Sequence, residues 1–351
     1  MTLKNQKPHF NVKFLKGYGS SISIKNFEVT LKNGMSPFSD SQEKETWYIT
    51  KIPYEKIILS GKGYVSTEAV KLLTKRNIQI LITDTYGNPI SFMSNLMNSE
   101  TSTRYRMGQY DTFRDESKKS QLQKKVSIDK LDSQIRLLRR IDADPVTIAK
   151  LTKYRSSIDA LTTRRELLGL ESKVAHAYFN EYSTHFHSDY AFVSRHGMGL
   201  RMTNQGSGDI VNSLLNYGYT VLAGEITKFV NGLGLDVYFG FYHKSHTSFQ
   251  ALVYDLIEPF RPLVEYAVFK FCQRNQARYP KKREYAHKID GTVVIESALI
   301  RRFLEKLERV FQDERPYKIK AGVKRSDGTS MCQEITIAKT YVQELADFCT
   351  S

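Results

Sequence analysis

Cysteine is scarce in this chain. Only Cys272, Cys332 and Cys349 occur among 351 residues. The odd count, with no CxxC and no zinc-type spacing, argues against a disulfide framework or a structural zinc site. Reduced thiols in an intracellular, cytoplasmic protein are expected instead. No stretch approaches the roughly 18 consecutive apolar residues of a membrane span. The opening MTLKNQKPHFNVKFLKGYGSS lacks the apolar run of a signal peptide, so the sequence offers little support for a membrane role. Acidic residues are in deficit as well. The 37 Asp and Glu face 52 Lys and Arg, a formal net charge of +15. A chain this basic is drawn to polyanions, nucleic acid above all.

The charge is unevenly placed. Residues 171–260 carry 5 basic and 8 acidic side chains, whereas residues 1–100, 101–170 and 261–351 are net +5, +7 and +6. An acidic pocket in a basic body suits a metal ion that works on a polyanion.

Residues 9–93 read as a small β domain. Short apolar or β-branched runs at 20–24, 28–31, 48–52, 56–59 and 78–83 are separated by turn signals such as Lys-Asn-Gly at 32–34 and Tyr-Gly-Asn-Pro at 86–89. One helix, capped by Ser66, interrupts them. Gly and Pro are then almost missing from residues 104–182, which predicts long helices broken near Asp142-Ala-Asp-Pro145. Residues 118–140 are rich in Lys and Arg, read either as a solvated helix face or as a DNA-facing one. Two further helices are expected over 208–235, joined near Asn231-Gly-Leu-Gly234, another over 296–312, and a short strand leading into a helix over 333–348. The fold class is therefore α+β, a small N-terminal β domain (1–98) followed by a larger, mostly helical catalytic domain (99–330) and a tail (331–351) of unknown role.

Four residues carry the chemistry. Glu171 shares a helical stripe with Leu167, Val174 and Tyr178. A carboxylate there needs a metal or a buried Arg. His243 follows the apolar run Val237-Tyr-Phe-Gly-Phe-Tyr and reads as a ligand or as a hydrogen-bonded core histidine. His246 and the His185/His187 pair are weaker candidates. Thr247-Ser-Phe-Gln250 is a capping-box pattern that predicts a helix start. In that helix Asp255 and Glu258 sit at i, i+3 on one face. Two carboxylates that close repel unless a cation lies between them or one is protonated. Pro259 predicts a kink beside the pair. Carboxylates plus one imidazole favour Mn²⁺ or Mg²⁺ over zinc.

From Leu214 to Pro262 the sequence closely resembles the CRISPR-associated integrases of spacer acquisition, the Cas one family. The residues that carry the resemblance are Asn212, Asn216-Tyr-Gly-Tyr219, Gly234-Leu-Asp236, Gly240-Phe-Tyr-His243, Ser248 and Tyr254-Asp-Leu-Ile-Glu-Pro-Phe-Arg261, with Leu167-Leu-Gly-Leu-Glu171 upstream. The resemblance spans roughly residues 12–315. It implies a homodimer, metal ligands at Glu171, His243 and Glu258 with Asp255 adjacent, and attack of a DNA 3′-hydroxyl on a target phosphodiester. It implies DNA and the small Cas two protein as partners. Many members have Asp where this chain has Glu258, and the family's Asn-Gln in the long helix is here Ser133-Gln134, after Lys130. The alternative is a casposase, a transposon-encoded integrase with the same core. A non-catalytic DNA-binding protein would have no reason to keep the four residues together.

Overall fold

In a computed structural model of the chain, the described residues are 12–35, 42–54, 56–76, 78–84, 89–93, 100–195, 207–243, 250–275, 279–288, 291–318 and 328–351. They divide between two compact units. One draws on Met1–Leu96 and Glu296–Leu304, the other on Met97–Ile295 and Glu305–Ser351.

The first unit contains strands β1 (Val12–Lys16), β2 (Ser20–Lys25), β3 (Glu28–Lys32), β4 (Lys44–Tyr48), β5 (Lys56–Ser60) and β6 (Gly63–Val65), helix α1 (Thr67–Lys75), and strands β7 (Gln79–Thr83) and β8 (Pro89–Met93). They form two four-stranded sheets, ordered β1-β5-β7-β8 and β4-β3-β2-β6. Strands β1, β5 and β7 run parallel. The central β5 is buried along its whole length, as a parallel strand covered on both faces should be. Leu15, Ile22, Val29, Leu31, Ile57, Ala69, Leu73 and Ile80 share one core. Ser66 caps α1 as expected, its hydroxyl accepting from the Ala69 N–H at 3.2 Å. The strand expected at 48–52 lies instead at Lys44–Tyr48. Its charged letters hide an alternation in which Trp47 and Tyr54 both donate to Glu45 Oε2, each at 2.9 Å. Tyr48 then closes a turn by accepting from the Lys51 N–H.

The second unit is built on helices α2 (Glu100–Arg114), α3 (Glu116–Arg140), α4 (Pro145–Ser157), α5 (Arg164–Thr184), α6 (Ile210–Leu233), α7 (Ala251–Ile257) and α8 (Arg261–Cys272). A hairpin of β9 (Tyr285–His287) and β10 (Val293–Ile295) follows, then α9 (Ser297–Gln312), which begins in the first unit and ends in the second. A second hairpin, β11 (Glu314–Tyr317) with β12 (Ser330–Gln333), leads into α10 (Glu334–Cys349). The break at Pro145 is where expected, with Asp144 capping α4 through the Val146 and Thr147 N–H groups. Residues 210–233 form one helix rather than two. Gly232 is accommodated in its last turn, and Gly234 (φ +78°) is the left-handed cap that ends it. α6 is buried on nearly every side, the mark of a central helix. α10 buries Ile335, Ile337, Ala338, Tyr341, Val342 and Leu345, and Tyr341 donates to Asp129 on α3 at 2.8 Å. The tail is thus integral to the helical core. No helix among the described residues is long and apolar enough to cross a membrane.

Candidate active site

Residues 235–243 leave α6 without regular structure, yet Leu235, Val237, Phe241 and Tyr242 are buried. Their backbone polar groups must therefore find side-chain partners. Gln109 of α2 donates to the carbonyls of Asp236 and Phe239 at 2.9 and 2.8 Å and accepts from the Asp236 N–H. Gln123 of α3 donates to the Phe241 carbonyl at 2.7 Å, and Arg164 of α5 to that of Tyr242 at 2.7 Å. Phe113 packs between Phe239 and Phe241.

Asp255 holds the end of the segment. It is fully buried. Its Oδ2 accepts from the N–H groups of Phe241 and Tyr242 at 2.7 and 2.9 Å, and its Oδ1 from the His243 N–H at 2.8 Å. The same Oδ1 lies 2.7 Å from His243 Nδ1. Burial pushes the Asp255 carboxyl up more strongly than His243 and the backbone donors pull it down. Gly240 makes this approach possible, because a Cβ there would lie 2.6 Å from Asp255 Oδ2 and 2.9 Å from Ala251. Gly240→Ala is expected to cost about 1–3 kcal/mol through overpacking, measured by urea denaturation. Gly232→Ala, whose Cβ meets nothing within 4 Å, should be neutral or stabilising.

Asp255 and Glu258 do not share a cation. α7 begins at Ala251, after Gln250 with no side-chain cap bond. Thr247, Ser248 and His246 lie outside the described residues. The helix tightens to a 3₁₀ turn at Glu258–Phe260 and resumes as α8 beyond the Pro259 break. Asp255 faces the His243 segment, while Glu258 faces α3. Glu258 is 5% exposed. Lys130 Nζ of α3 is 2.6 Å from its Oε2, and Arg261 Nε 3.0 Å from its Oε1. Burial alone would raise the Glu258 carboxyl, but Arg261 and Lys130 hold it down at about 2. Lys130 stays charged by the same balance. Burial lowers it, and Glu258 and Glu171 more than offset that.

Glu171 lies on α5 with Leu167, Val174 and Tyr178 buried around it. It accepts from Ser127 of α3 at 3.3 Å, and among the described residues no Arg pairs with it. The Tyr242 phenol is raised by burial and then by the nearby Glu171 carboxylate, with Glu258 adding a smaller share. Glu171, Glu258, Tyr242 and Lys130 thus belong to one electrostatic neighbourhood, and His243 acts on Glu258 within it. Among the described residues no three His, Cys, Asp or Glu side chains are arranged to hold a metal ion as they stand, and the Lys130 ammonium lies beside Glu258. The expected acidic pocket is therefore neutralised locally, by cations that α3 and α8 supply. His185 pairs with Glu181 at the end of α5, and His187 with Asp189 in the turn beyond it.

Beside Glu258 a cavity of about 230 Å³ is lined by Lys130, Gln134, Arg195, Tyr219, Arg261 and Glu265, among others. Arg195 is fixed by Asn212 and Asn216, at 2.6 and 2.9 Å, and lies over the Tyr219 ring. Glu265 accepts from Tyr178 and Tyr219, and burial raises its carboxyl despite them. Sequence reasoning missed Gln109, Gln123 and the site role of Lys130, and met Gln134 only in the Ser133-Gln134 match to the family's long helix. Their one signal is a polar side chain on the buried face of a long helix.

The chain matches the family described as CRISPR associated protein Cas1 over residues 14–309. It is 27% identical over 266 residues to a protein of Archaeoglobus fulgidus named CRISPR-associated endonuclease Cas1 1, a match that covers 71% of this chain and 74% of the relative. Among solved structures it resembles a casposase bound to integration product, with TM-score 0.81 at 23% identity, covering 97% of this chain and 91% of the other. It also resembles a Cas1 protein from Thermotoga maritima, with TM-score 0.73 at 13% identity, covering 97% of both chains. A helical core that carries Glu171, His243 and Glu258 on three separate segments, in a chain that matches this family over most of its length, leads to one assignment: the protein belongs to the Cas1 family.

Proposed function

We propose that the chain is a divalent-metal-dependent DNA endonuclease and integrase that joins a DNA 3′-hydroxyl to a target phosphodiester, as in CRISPR spacer acquisition. The reading includes a homodimer, acting inside the cell with DNA and a Cas2 partner. The observation that carries it is the Asp255-locked His243, with Glu258 in its electrostatic reach and Glu171 next to its chain neighbour Tyr242. The donor set fits a hard divalent ion. Glu258 Oε2 is buried and receives no aligned hydrogen bond despite the nearby ammonium. Asp255 fixes the imidazole as a carboxylate behind a metal-bound histidine does. Glu171, Glu258 and His243 Nε2 would hold Mn²⁺ or Mg²⁺, and such an ion polarises the phosphodiester and stabilises the attacking or leaving oxygen. Arg261 and Arg195 present fixed positive charge to a phosphate entering the cavity.

The test is a strand-transfer assay, in which a short duplex with 3′-hydroxyl ends is incubated with supercoiled plasmid and Mn²⁺ or Mg²⁺. Joined product is expected, abolished by EDTA. Glu171→Ala and His243→Ala should each lower the rate by at least ~100-fold, the scale of removing a metal ligand or its support, while duplex binding persists. Failure of the intact protein to join DNA with either ion, or full activity in both variants, would overturn the reading. The fold likeness to a casposase favours one second reading, transfer of transposon ends by the same core. Donors ending in terminal inverted repeats, offered in competition with protospacer-like duplexes, separate the two.

A further inference from the structure

Lys130 and Gln134 stand one turn apart on α3, and both line the cavity beside Glu258. At that spacing two side chains share a helix face, with Cβ atoms about 5–6 Å apart. Gln134 is 3% exposed, and its Oε1 has no hydrogen-bond partner. A buried acceptor left without a donor is costly and calls for a partner that the resting arrangement does not supply. The Lys130 ammonium is 2.6 Å from Glu258 Oε2, so a cation ligated by that oxygen would compete with it. An ammonium and a divalent cation cannot both sit there.

We propose that Lys130 is a resident counter-ion of the metal site. In the metal-free protein its ammonium neutralises Glu258 and Glu171. On binding of a divalent cation to Glu171, His243 and Glu258 it moves along α3 and donates to Gln134 Oε1. There it faces the cavity shared with Arg195 and Arg261, and it contacts the substrate phosphate as a catalytic residue. This inference rests on the metal reading above.

Two consequences have opposite signs, which a purely structural ion pair would not produce. Without the ammonium, the metal no longer has to displace a competing charge. Without it, the substrate phosphate also loses a contact. Mn²⁺ titration calorimetry on the full chain, paired with the strand-transfer assay, reads both. Lys130→Met should bind Mn²⁺ more tightly by on the order of tenfold or more and transfer strands more slowly by a similar factor. Lys130→Gln, neutral and able to hydrogen-bond Glu258, should do the same if the Met variant fails to fold. Gln134→Leu should bind Mn²⁺ several-fold more weakly, because the displaced ammonium has no acceptor waiting. The proposal falls if a folded Lys130 variant binds Mn²⁺ no more tightly than the intact protein. If Glu258→Ala abolishes Mn²⁺ binding in that case, the metal reading stands and this inference alone is lost. If the intact protein binds no Mn²⁺, both are lost.

Discussion

Glu258→Ala is expected to remove strand transfer by a factor of at least ~1,000 and to cost about 3–5 kcal/mol of stability, more than any other substitution at the site except Asp255→Ala. The catalytic loss follows from deleting the carboxylate proposed to ligate the metal. The stability loss follows from what remains, because Lys130 and Arg261 would face each other without the buried carboxylate that pairs both, and breaking such a pair from one side is strongly destabilising. The pH dependence gives an independent measure. An unperturbed glutamate titrates near 4.3, whereas the Glu258 carboxyl is held at about 2. A depressed carboxylate favours the folded state while it is ionised. Its contribution is complete above about pH 4.3 and is lost as the pH falls through about 2. The displacement corresponds to about 3 kcal/mol, within the range above. Asp255 and Glu265, both raised by burial, act in the opposite sense, so the Glu258 share has to be taken by difference. The stability gap between the intact protein and Glu258→Gln should be constant above pH ~5 and narrow between pH ~4.3 and ~2. A gap independent of pH across that window would mean that Glu258 is not ionised in the folded protein.

Much of this site could be read from residue types and spacing. The glycine and proline deficit of residues 104–182 located the long helices, and the pattern around Glu171 put a carboxylate on an apolar stripe. Pro259 marked the break beside Glu258. What could not be read is which partner each side chain meets in the folded chain. Asp255 and Glu258 stand three positions apart on a helical backbone, yet the His243 segment takes up Asp255 and Lys130 of α3 takes up Glu258, two partners brought from distant parts of the chain. The same blindness concealed the residues that position His243. Gln109 and Gln123 resemble any helix-surface glutamine, and only the irregular backbone of residues 235–243, brought from more than a hundred positions away, makes them necessary. Lys130 was absorbed into the basic character of residues 118–140. Its neighbours Leu131 and Ser127 are buried, so this part of α3 faces the protein interior and the lysine meets Glu258 instead of solvent. Strand β4 was displaced in the reading because burial of Glu45 against Trp47 and Tyr54 overrides its low β-propensity.

Asp255 separates two effects that one residue usually confounds. Asp255→Ala leaves the N–H groups of Phe241, Tyr242 and His243 without an acceptor in a fully buried site. Each orphaned donor costs about 1–3 kcal/mol, and partial relaxation of the segment brings the expected total to ~3–6 kcal/mol. Strand transfer should vanish with it, since His243 loses both its backbone anchor and its ring partner. Asp255→Asn is more discriminating. Its carbonyl oxygen can still accept from Phe241 and Tyr242, so the stability loss should fall to ~1–3 kcal/mol, further softened because a neutral side chain avoids the burial cost that raises the Asp255 carboxyl. Its amide nitrogen, however, is a donor placed 2.7–2.8 Å from His243 N and Nδ1, where Asp255 Oδ1 accepted. The ring can satisfy it only in the tautomer with Nδ1 unprotonated and Nε2 carrying the proton, and a protonated Nε2 cannot ligate a metal. Asp255→Asn should therefore lose strand transfer and Mn²⁺ affinity by at least ~10–100-fold, the usual scale for a partner behind a metal-bound histidine, while melting cooperatively near the intact protein. If the Asn variant transferred strands at the normal rate, the tautomer held by Asp255 would have no part in the chemistry, and His243 would have to be a packing residue.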